Sequence, residues 1–366
     1  MLLRDLIPHL ESLAPPQLAE SWDNTGLLLG DRAAEVQRVL TCLTLTPDVA
    51  AEAVELGAHL VVTHHPLMFK PVQRLTGDTG EGRTLMLLAR HGIAVYSPHT
   101  SWDNAPQGIN QQLAELLELT DVVPLRPKPA GAGCKLVTFV PQSDLENVQR
   151  ALWQAGCGVI GNYANCSFIS PGTGTFFGMS GAEPAMGRAG QLEQVSEQKL
   201  EVVCPKTRLA AALSALREAH PYEEPAVDVI PLEPLPDGSG AGRAGRLGAP
   251  ATLAAVAERV RRILPGPGLQ FVGDPDRIVE RVGVACGAAA DFWHDARRAG
   301  CQVLLTGETR FHTALEVREA GFSMIVAGHF ATERFAMVRL ANLLGTRCLD
   351  LHCAASTVER DPLASC

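Results

Sequence analysis

The chain carries one strand–helix–strand pattern twice. Laid without gaps, Arg38-Val39 through Gly57-Ala58 to Val62-Thr63 falls on Arg281-Val282 through Gly300-Cys301 to Leu305-Thr306. Farther along, Gly92-Ile93-Ala94-Val95 falls on Gly321-Phe322-Ser323-Met324, which sets Thr100 on His329. Each copy reads as a short apolar run, a helix closed by glycine, and a second buried run. In the first copy Pro47 opens the helix, and Val49, Ala50, Ala53 and Val54 give it an apolar face. Units of this kind build parallel sheets, so the pair predicts an α/β fold of two similar lobes made by duplication. Identity between the copies is sparse, and helix–strand alternation with glycine at helix ends is common. Two unrelated lobes of the same class are the competing reading.

The strand ends carry the chemistry. Leu60-Val61-Val62-Thr63 reads as a buried strand entered through Gly57, and Pro66, which has no N–H, stops the ladder at His64-His65. Open α/β sheets bind ligands beyond the carboxyl ends of their strands. Neighbouring strand residues point to opposite faces, so two ions, one per imidazole, are easier to build than a single clamp. The next strand of the first lobe ends in Pro98-His99-Thr100-Ser101-Trp102-Asp103. The equivalent ends of the second lobe hold Glu308, with His312 four residues on, and His329, with Glu333 four residues on. That spacing puts each pair on one side of a helical turn. One such pair is common on a solvated helix. Two pairs directly after buried strands, matched by His64-His65 and by His99 with Asp103, point to a metal site between facing lobes. Imidazole and carboxylate without sulfur suit zinc, iron, manganese or nickel, and a pair of ions implies hydrolysis by activated water.

Composition narrows the alternatives. A chain of 366 residues exceeds a single core, so two or three domains are expected. The net charge of −9, with no basic block, makes nucleic acid an unlikely partner. Ten cysteines occur with no Cys-x-x-Cys pair, which gives a thiolate zinc site or redox motif no support. Met1 to His9 contains Asp5 and Pro8 and does not read as a secretory signal, and no uncharged run approaches a membrane span. Reduced cysteines in a cytoplasmic protein follow.

Between the lobes, proline- and glycine-rich flanks (Arg126 to Gly131 and Pro234 to Gly240) enclose a third region. The expected division is 1–125 for the first lobe, 126–235 for the insertion and 236–366 for the second lobe. Within the insertion the order reads strand Cys134–Val140, helix Ser143–Ala155, strands Gly158–Ser167 and Gly174–Gly178. Strand Lys199–Cys204, helix Thr207–His220 and strand Val227–Pro231 follow. That is a ferredoxin-like β-α-β-β-α-β unit with one extra strand. Its most polar turn, His220-Pro221-Tyr222-Glu223-Glu224-Pro225, reads as structural or binding rather than catalytic.

Taken together, His64-His65-Pro66, Thr100-Ser101-Trp102-Asp103, Thr306-Gly307-Glu308 and Gly328-His329 through Glu333 resemble the GTP cyclohydrolase 1 type 2 homologue family. The same family is called NGG-one-interacting-factor-three-like. Ser21-Trp22-Asp23-Asn24-Thr25-Gly26 and Asp361-Pro362-Leu363 fit it too, so the resemblance spans the chain. It implies two divalent metal ions per subunit, held by His64, His65, Asp103, His329 and Glu333. It also implies a toroidal homohexamer, and an insertion similar to PII/CutA domains. Where family members often have Asn-Leu-Asp, this chain has Ser101-Trp102-Asp103, which keeps the carboxylate and changes the neighbouring side chain. His99, Glu308 and His312 are the candidates for acid/base work or for holding ligands from behind. The implied activity is a metal-dependent hydrolase acting on a small molecule, a nucleotide such as GTP among the candidates. No Gly-x-x-x-x-Gly-Lys-Ser/Thr phosphate loop is present to support GTP. The alternative is a non-catalytic hexameric metal-binding scaffold or chaperone.

Overall fold

A computed structural model describes every residue except 129–132, 162, 234–235, 265, 267 and 365–366. Parts of both proline- and glycine-rich flanks therefore lie outside the described residues. The chain forms two compact units, residues 1–128 with 236–366, and residues 129–235.

The larger unit contains a five-stranded and a six-stranded sheet. The first is ordered Gly26–Leu29, Ala94–Ser97, Leu60–Thr63, Arg38–Cys42, His352–Ala355, parallel throughout except for Gly26–Leu29. The second is ordered Gln270–Val272, Ser323–Val326, Val303–Thr306, Ile278–Ala285, Arg243–Thr252, Thr120–Val123. Its three strands Ile278–Ala285, Val303–Thr306 and Ser323–Val326 are parallel. The parallel strands are continuous apolar runs because both sheet faces are covered: Leu60, Val61 and Val62, like Val303, Leu304 and Leu305, are fully buried.

Each sheet borrows an edge strand from the other half of the chain. Thr120–Val123, expected in the first lobe, pairs with Arg243–Thr252, and His352–Ala355, expected in the second, pairs with Arg38–Cys42. Both strands are short, and each finds its ladder partners on the sheet built by the distant half. The helix His329–Arg347 makes a similar crossing. It packs against Arg38–Cys42 and His352–Ala355, with Ala336, Met337, Leu340 and Leu344 buried at helical spacing. The Thr41 hydroxyl donates to the Met337 carbonyl at 2.8 Å. Its first turn, which carries His329 and Glu333, thereby reaches the sheet that carries His64 and His65.

Arg243 locks this crossing from inside. Its guanidinium is buried and donates to the carbonyls of Gly240 (2.6 Å), Gly242 (2.7 Å) and Ala105 (2.6 Å) and to Gln111 Oε1 (3.0 Å). Burial lowers its pKa to about 10, still far enough up to keep the charge at neutral pH.

Residues 129–235 form one antiparallel sheet ordered Val227–Pro231, Gly133–Val140, Leu192–Pro205, Phe168–Phe177. The helices Leu145–Gln154 and Leu209–Ala219 bury Val148, Leu152, Ala212 and Leu216 against Leu136, Leu200 and Val202 on one face. Among the described residues the connectivity is β-α-β-β-α-β, with four strands. The expected strand over Gly158–Ser167 is not formed by the described residues there: Gly158, Gly161 and Asn165 take positive φ and break any extended run. The expected strands Gly174–Gly178 and Lys199–Cys204 prove to be parts of the longer Phe168–Phe177 and Leu192–Pro205.

Replacing Arg243 by Met removes the buried donor to the Gly240, Gly242 and Ala105 carbonyls, of which Ala105 keeps the Gly108 amide at 3.0 Å. Denaturant titration is expected to show a loss of about 3 kcal/mol or more, since hydrogen bonds from a charged group contribute about 1.5–3 kcal/mol each.

Candidate metal centre

Three histidines are fixed from behind through Nδ1. His65 Nδ1 meets the Thr44 hydroxyl at 2.7 Å, His99 Nδ1 meets Asp23 Oδ1 at 2.7 Å, and His329 Nδ1 meets Glu308 Oε1 at 2.8 Å. The Glu308 carboxylate behind Nδ1 of His329 selects the tautomer whose Nε2 keeps a lone pair, which is how histidines are oriented toward metals. In front, Nε2 of His65 and Nε2 of His329 lie 3.3 Å apart, and Glu333 Oε2 is 3.1 Å from the first and 3.0 Å from the second.

Three acceptor-type atoms at that separation repel unless a proton or a cation lies among them. Two ligands on one tetrahedral ion at roughly 2.0–2.1 Å would stand about 3.3 Å apart, so the triangle fits a divalent cation. A proton is the weaker substitute. Burial opposes charge on His329, but hydrogen bonds and charge from Glu333 and Glu308 hold its pKa up at about 9. Burial also opposes charge on Glu333, and the His329 and His65 contacts still hold it well below the usual carboxylate range.

A second group adjoins the first. Ligand-type atoms of His64, His65 and His99 lie within 4.8 Å of one another, as do those of His65, His329 and Glu333. His64 is buried, and neither ring nitrogen has a hydrogen-bond partner. Asp103 Oδ1 is also without one and lies 3.5 Å from His64 Nε2. Burial drives the His64 pKa well below the usual 6.5, so the ring is neutral with a free lone pair. Burial, then the Glu333 charge, pushes Asp103 up to about 8. Each orphaned buried polar atom costs about 1–3 kcal/mol, and a cation beside His64 and Asp103 removes that cost. The donor set therefore fits metal at both places.

The backbone accommodates the crowding. Glu333 Oε1 rests against Gly287, where a Cβ would come within 2.2 Å of it and where φ is +65°. His99 itself sits at φ +30°, a conformation held only because Asp23 grips both its ring and the Thr100 amide (3.1 Å).

Above the cluster lies a cavity of about 840 Å³ whose wall includes Trp22, Phe69, Arg126 and Lys128. Trp22 and Phe69 are exposed with ring centres 5.9 Å apart. The Arg126 guanidinium lies 3.9 Å over the Phe292 ring and pairs with Asp295 at 2.6 Å. The stretch Arg126–Lys128, expected to begin the insertion, thus belongs to the metal-site unit.

Comparison with known proteins identifies the family over nearly the whole chain. The sequence profile described as Duf34/NIF3 (NGG1p interacting factor 3) matches residues 1–362. The chain belongs to the Duf34/NIF3 family. A protein of Halalkalibacterium halodurans named GTP cyclohydrolase 1 type 2 homolog is 35% identical over 98% of this chain and 97% of its own. One of the same name from Bacillus subtilis is 36% identical, covering 95% and 93%. Among solved structures, a Bacillus cereus protein related to NIF3 superposes with a TM-score of 0.82 at 34% identity, covering 99% and 98%. Staphylococcus aureus protein SA1388 superposes at 0.83 and 28%, covering 100% and 99%.

In this Duf34/NIF3 chain, His64, His65, Asp103, His329 and Glu333 meet in one place, with His99 beside them and Glu308 behind His329. His312 is not brought there. It is exposed and its ring meets Phe311, because the helix begins only at Phe311. Glu308 precedes that helix, so the i, i+4 geometry expected for the two does not exist. Three further residues position the site. Asp23 sat in a polar cluster noted in the sequence without a role. Thr44 and Glu359 had no local signal: Glu359 Oε1 accepts the amides of Leu43 (2.8 Å) and Thr44 (2.9 Å), and its Oε2 pairs with Arg334 at 2.7 Å.

Thr44→Val removes the contact behind His65 while preserving volume. Competitive chelator titration is expected to show metal affinity reduced about 10–100-fold, the usual cost of losing such a partner. Gly287→Ala should displace Glu333 and weaken metal further, with the fold intact by circular dichroism.

Proposed function

We propose that the chain is a metal-dependent hydrolase with two divalent cations per subunit. In this reading His65, His329 and Glu333 hold one cation, and His64 and Asp103 hold the other. The observation that carries it is the convergence of Nε2 atoms whose Nδ1 atoms are already committed to Thr44 and Glu308. A structural site would be closed, whereas this one opens into a cavity large enough for a nucleotide-sized molecule. When bound, a pair of divalent cations supplies activated water at neutral pH and stabilises a leaving oxygen.

The protein's own groups do the rest. His64 contributes a neutral lone pair because it is buried, and Glu333 stays ionised. His99 is the proton donor: burial opposes its charge, but the Asp23 hydrogen bond and the Asp103 charge raise its pKa above 6.5. Its ring lines the cavity, where its protonated form can give a proton to a leaving group. Trp22 and Phe69 form an exposed aromatic lip suited to a planar ring. In this reading a purine nucleotide is the first substrate to try, a choice supported by relatives named GTP cyclohydrolase 1 type 2 homolog, and a phosphoester is the other use of such a site. The reading also includes duplicated lobes, a PII/CutA-like insertion, a toroidal homohexamer and a cytoplasmic location. Among the described residues no helix is long and apolar enough to cross a membrane.

The test is turnover on a nucleotide and phosphoester panel with metal reconstituted and then chelated. His64→Ala and Glu333→Ala are each expected to abolish turnover and lower metal content. His99→Gln should retain metal and lose about 10²–10⁴-fold in rate, the usual worth of a general acid. The rate should fall on the alkaline side as His99 loses its proton, and on the acid side as ligand imidazoles gain one. Metal bound at full occupancy with no turnover on any panel member would favour the scaffold reading instead.

A further inference from the structure

Residues 129–235 enclose a second cavity, of about 570 Å³, on the sheet face opposite the two helices. Leu136 and Leu200 face the helices, so Phe139 and Lys199, paired directly across the strands, face away and line the cavity. Phe139, Pro171, Phe176 and Met186 give it apolar walls.

At its base stands Glu197, only 9% exposed. The Tyr222 hydroxyl donates to its Oε1 at 2.7 Å, and no other hydrogen bond reaches this carboxylate among the described residues. Its Oε2 fits because residue 174 is glycine: a Cβ there would lie 2.0 Å away. Glu223 and Glu224 add two exposed carboxylates to the lining. Lys199, the one cation of the lining, is already held by Glu201 at 2.5 Å. The His220-Pro221-Tyr222-Glu223-Glu224-Pro225 turn builds this wall. His220 Nε2 is anchored on the Phe139 carbonyl at 3.1 Å, and the Tyr222 amide donates to His220 Nδ1 at 3.1 Å.

A buried carboxylate with a single neutral donor lacks the charge partner that burial demands. A metal ion is not that partner, since the groups that converge closely enough for one, among the described residues, are those of the histidine cluster. The volume falls in the range of small-molecule sites, and aromatic walls favour cations through their ring faces. We propose that this cavity binds a small organic cation, a protonated amine or guanidinium carried on an apolar or aromatic body. Its charged head lies against Glu197, and Glu223 and Glu224 supply the surrounding negative field. The proposal does not depend on the hydrolase reading.

Phenethylamine, phenethyl alcohol and 3-phenylpropionate share one shape and differ in charge. Titrated into the full-length protein by calorimetry and by NMR of labelled Phe139 and Tyr222, phenethylamine is expected to bind and shift both residues, and 3-phenylpropionate is not. Glu197→Gln should weaken phenethylamine about tenfold or more, as loss of a charge-assisted hydrogen bond requires. The exposed double change Glu223→Gln with Glu224→Gln, which spares the buried interior, should weaken it in the same direction with metal content unchanged. Equal binding of all three probes, absence of shifts at Phe139 and Tyr222, or unweakened binding to both variants would overturn the proposal.

Discussion

One contact in the larger unit is unfavourable unless a positive charge lies within it. Nε2 of His65, Nε2 of His329 and an oxygen of Glu333 stand within 3.0–3.3 Å of one another, with two of the three fixed from behind so that lone pairs face inward. No protein would hold three acceptors together for stability, because each approach costs electrostatic energy that a buried setting amplifies. The arrangement needs a rigid frame and a positive charge at its centre. The frame is the exchange of edge strands, the long helix laid across to the first sheet and the buried guanidinium of Arg243. Each ties residues from opposite ends of the chain and so resists the separation that repulsion favours.

The supports are graded by distance from the cluster. Thr44, Asp23 and Glu308 touch the imidazoles directly, and Glu359 acts one step farther out by holding the Thr44 amide. Arg334, adjacent in sequence to Glu333, neutralises Glu359. The segment near the end of the described chain thus reaches His65 through two hydrogen-bonded residues and connects back to the helix that supplies Glu333. A loop of this kind spreads strain over backbone amides and side chains rather than concentrating it on one ligand.

Much of this was legible in the sequence, for physical reasons that also mark where legibility ends. The parallel strands announced themselves because burial on both faces forces continuous apolar runs such as Leu60-Val61-Val62 and Val303-Leu304-Leu305. The residues of the cluster were visible because a polar residue directly after such a run has few structural reasons to be there. The exchanged strands were not, since Thr120–Val123 and His352–Ala355 are short, part-polar edges whose partners lie over 100 residues away and leave no local pattern. Thr44 and Glu359 were invisible for the same reason. His312 was misplaced because a spacing of four carries meaning only inside a helix, and the helix begins one residue before it.

Two buried carboxylates in this chain illustrate how surroundings choose a partner. Glu333 is ringed by imidazoles whose lone pairs converge, a geometry that only a small hard cation or a shared proton can satisfy. Glu197 accepts from one phenol beside largely apolar walls, with room of several hundred cubic ångströms and the carboxylates of Glu223 and Glu224 in the same lining. A bare divalent ion there would find too few donors to replace its water, whereas an ammonium on an apolar body would shed weakly held water from its body and keep its charge paired. The same side-chain chemistry suits a metal ion in one setting and, on the proposal above, an organic cation in the other, and the deciding variable is how many other lone pairs reach the same point.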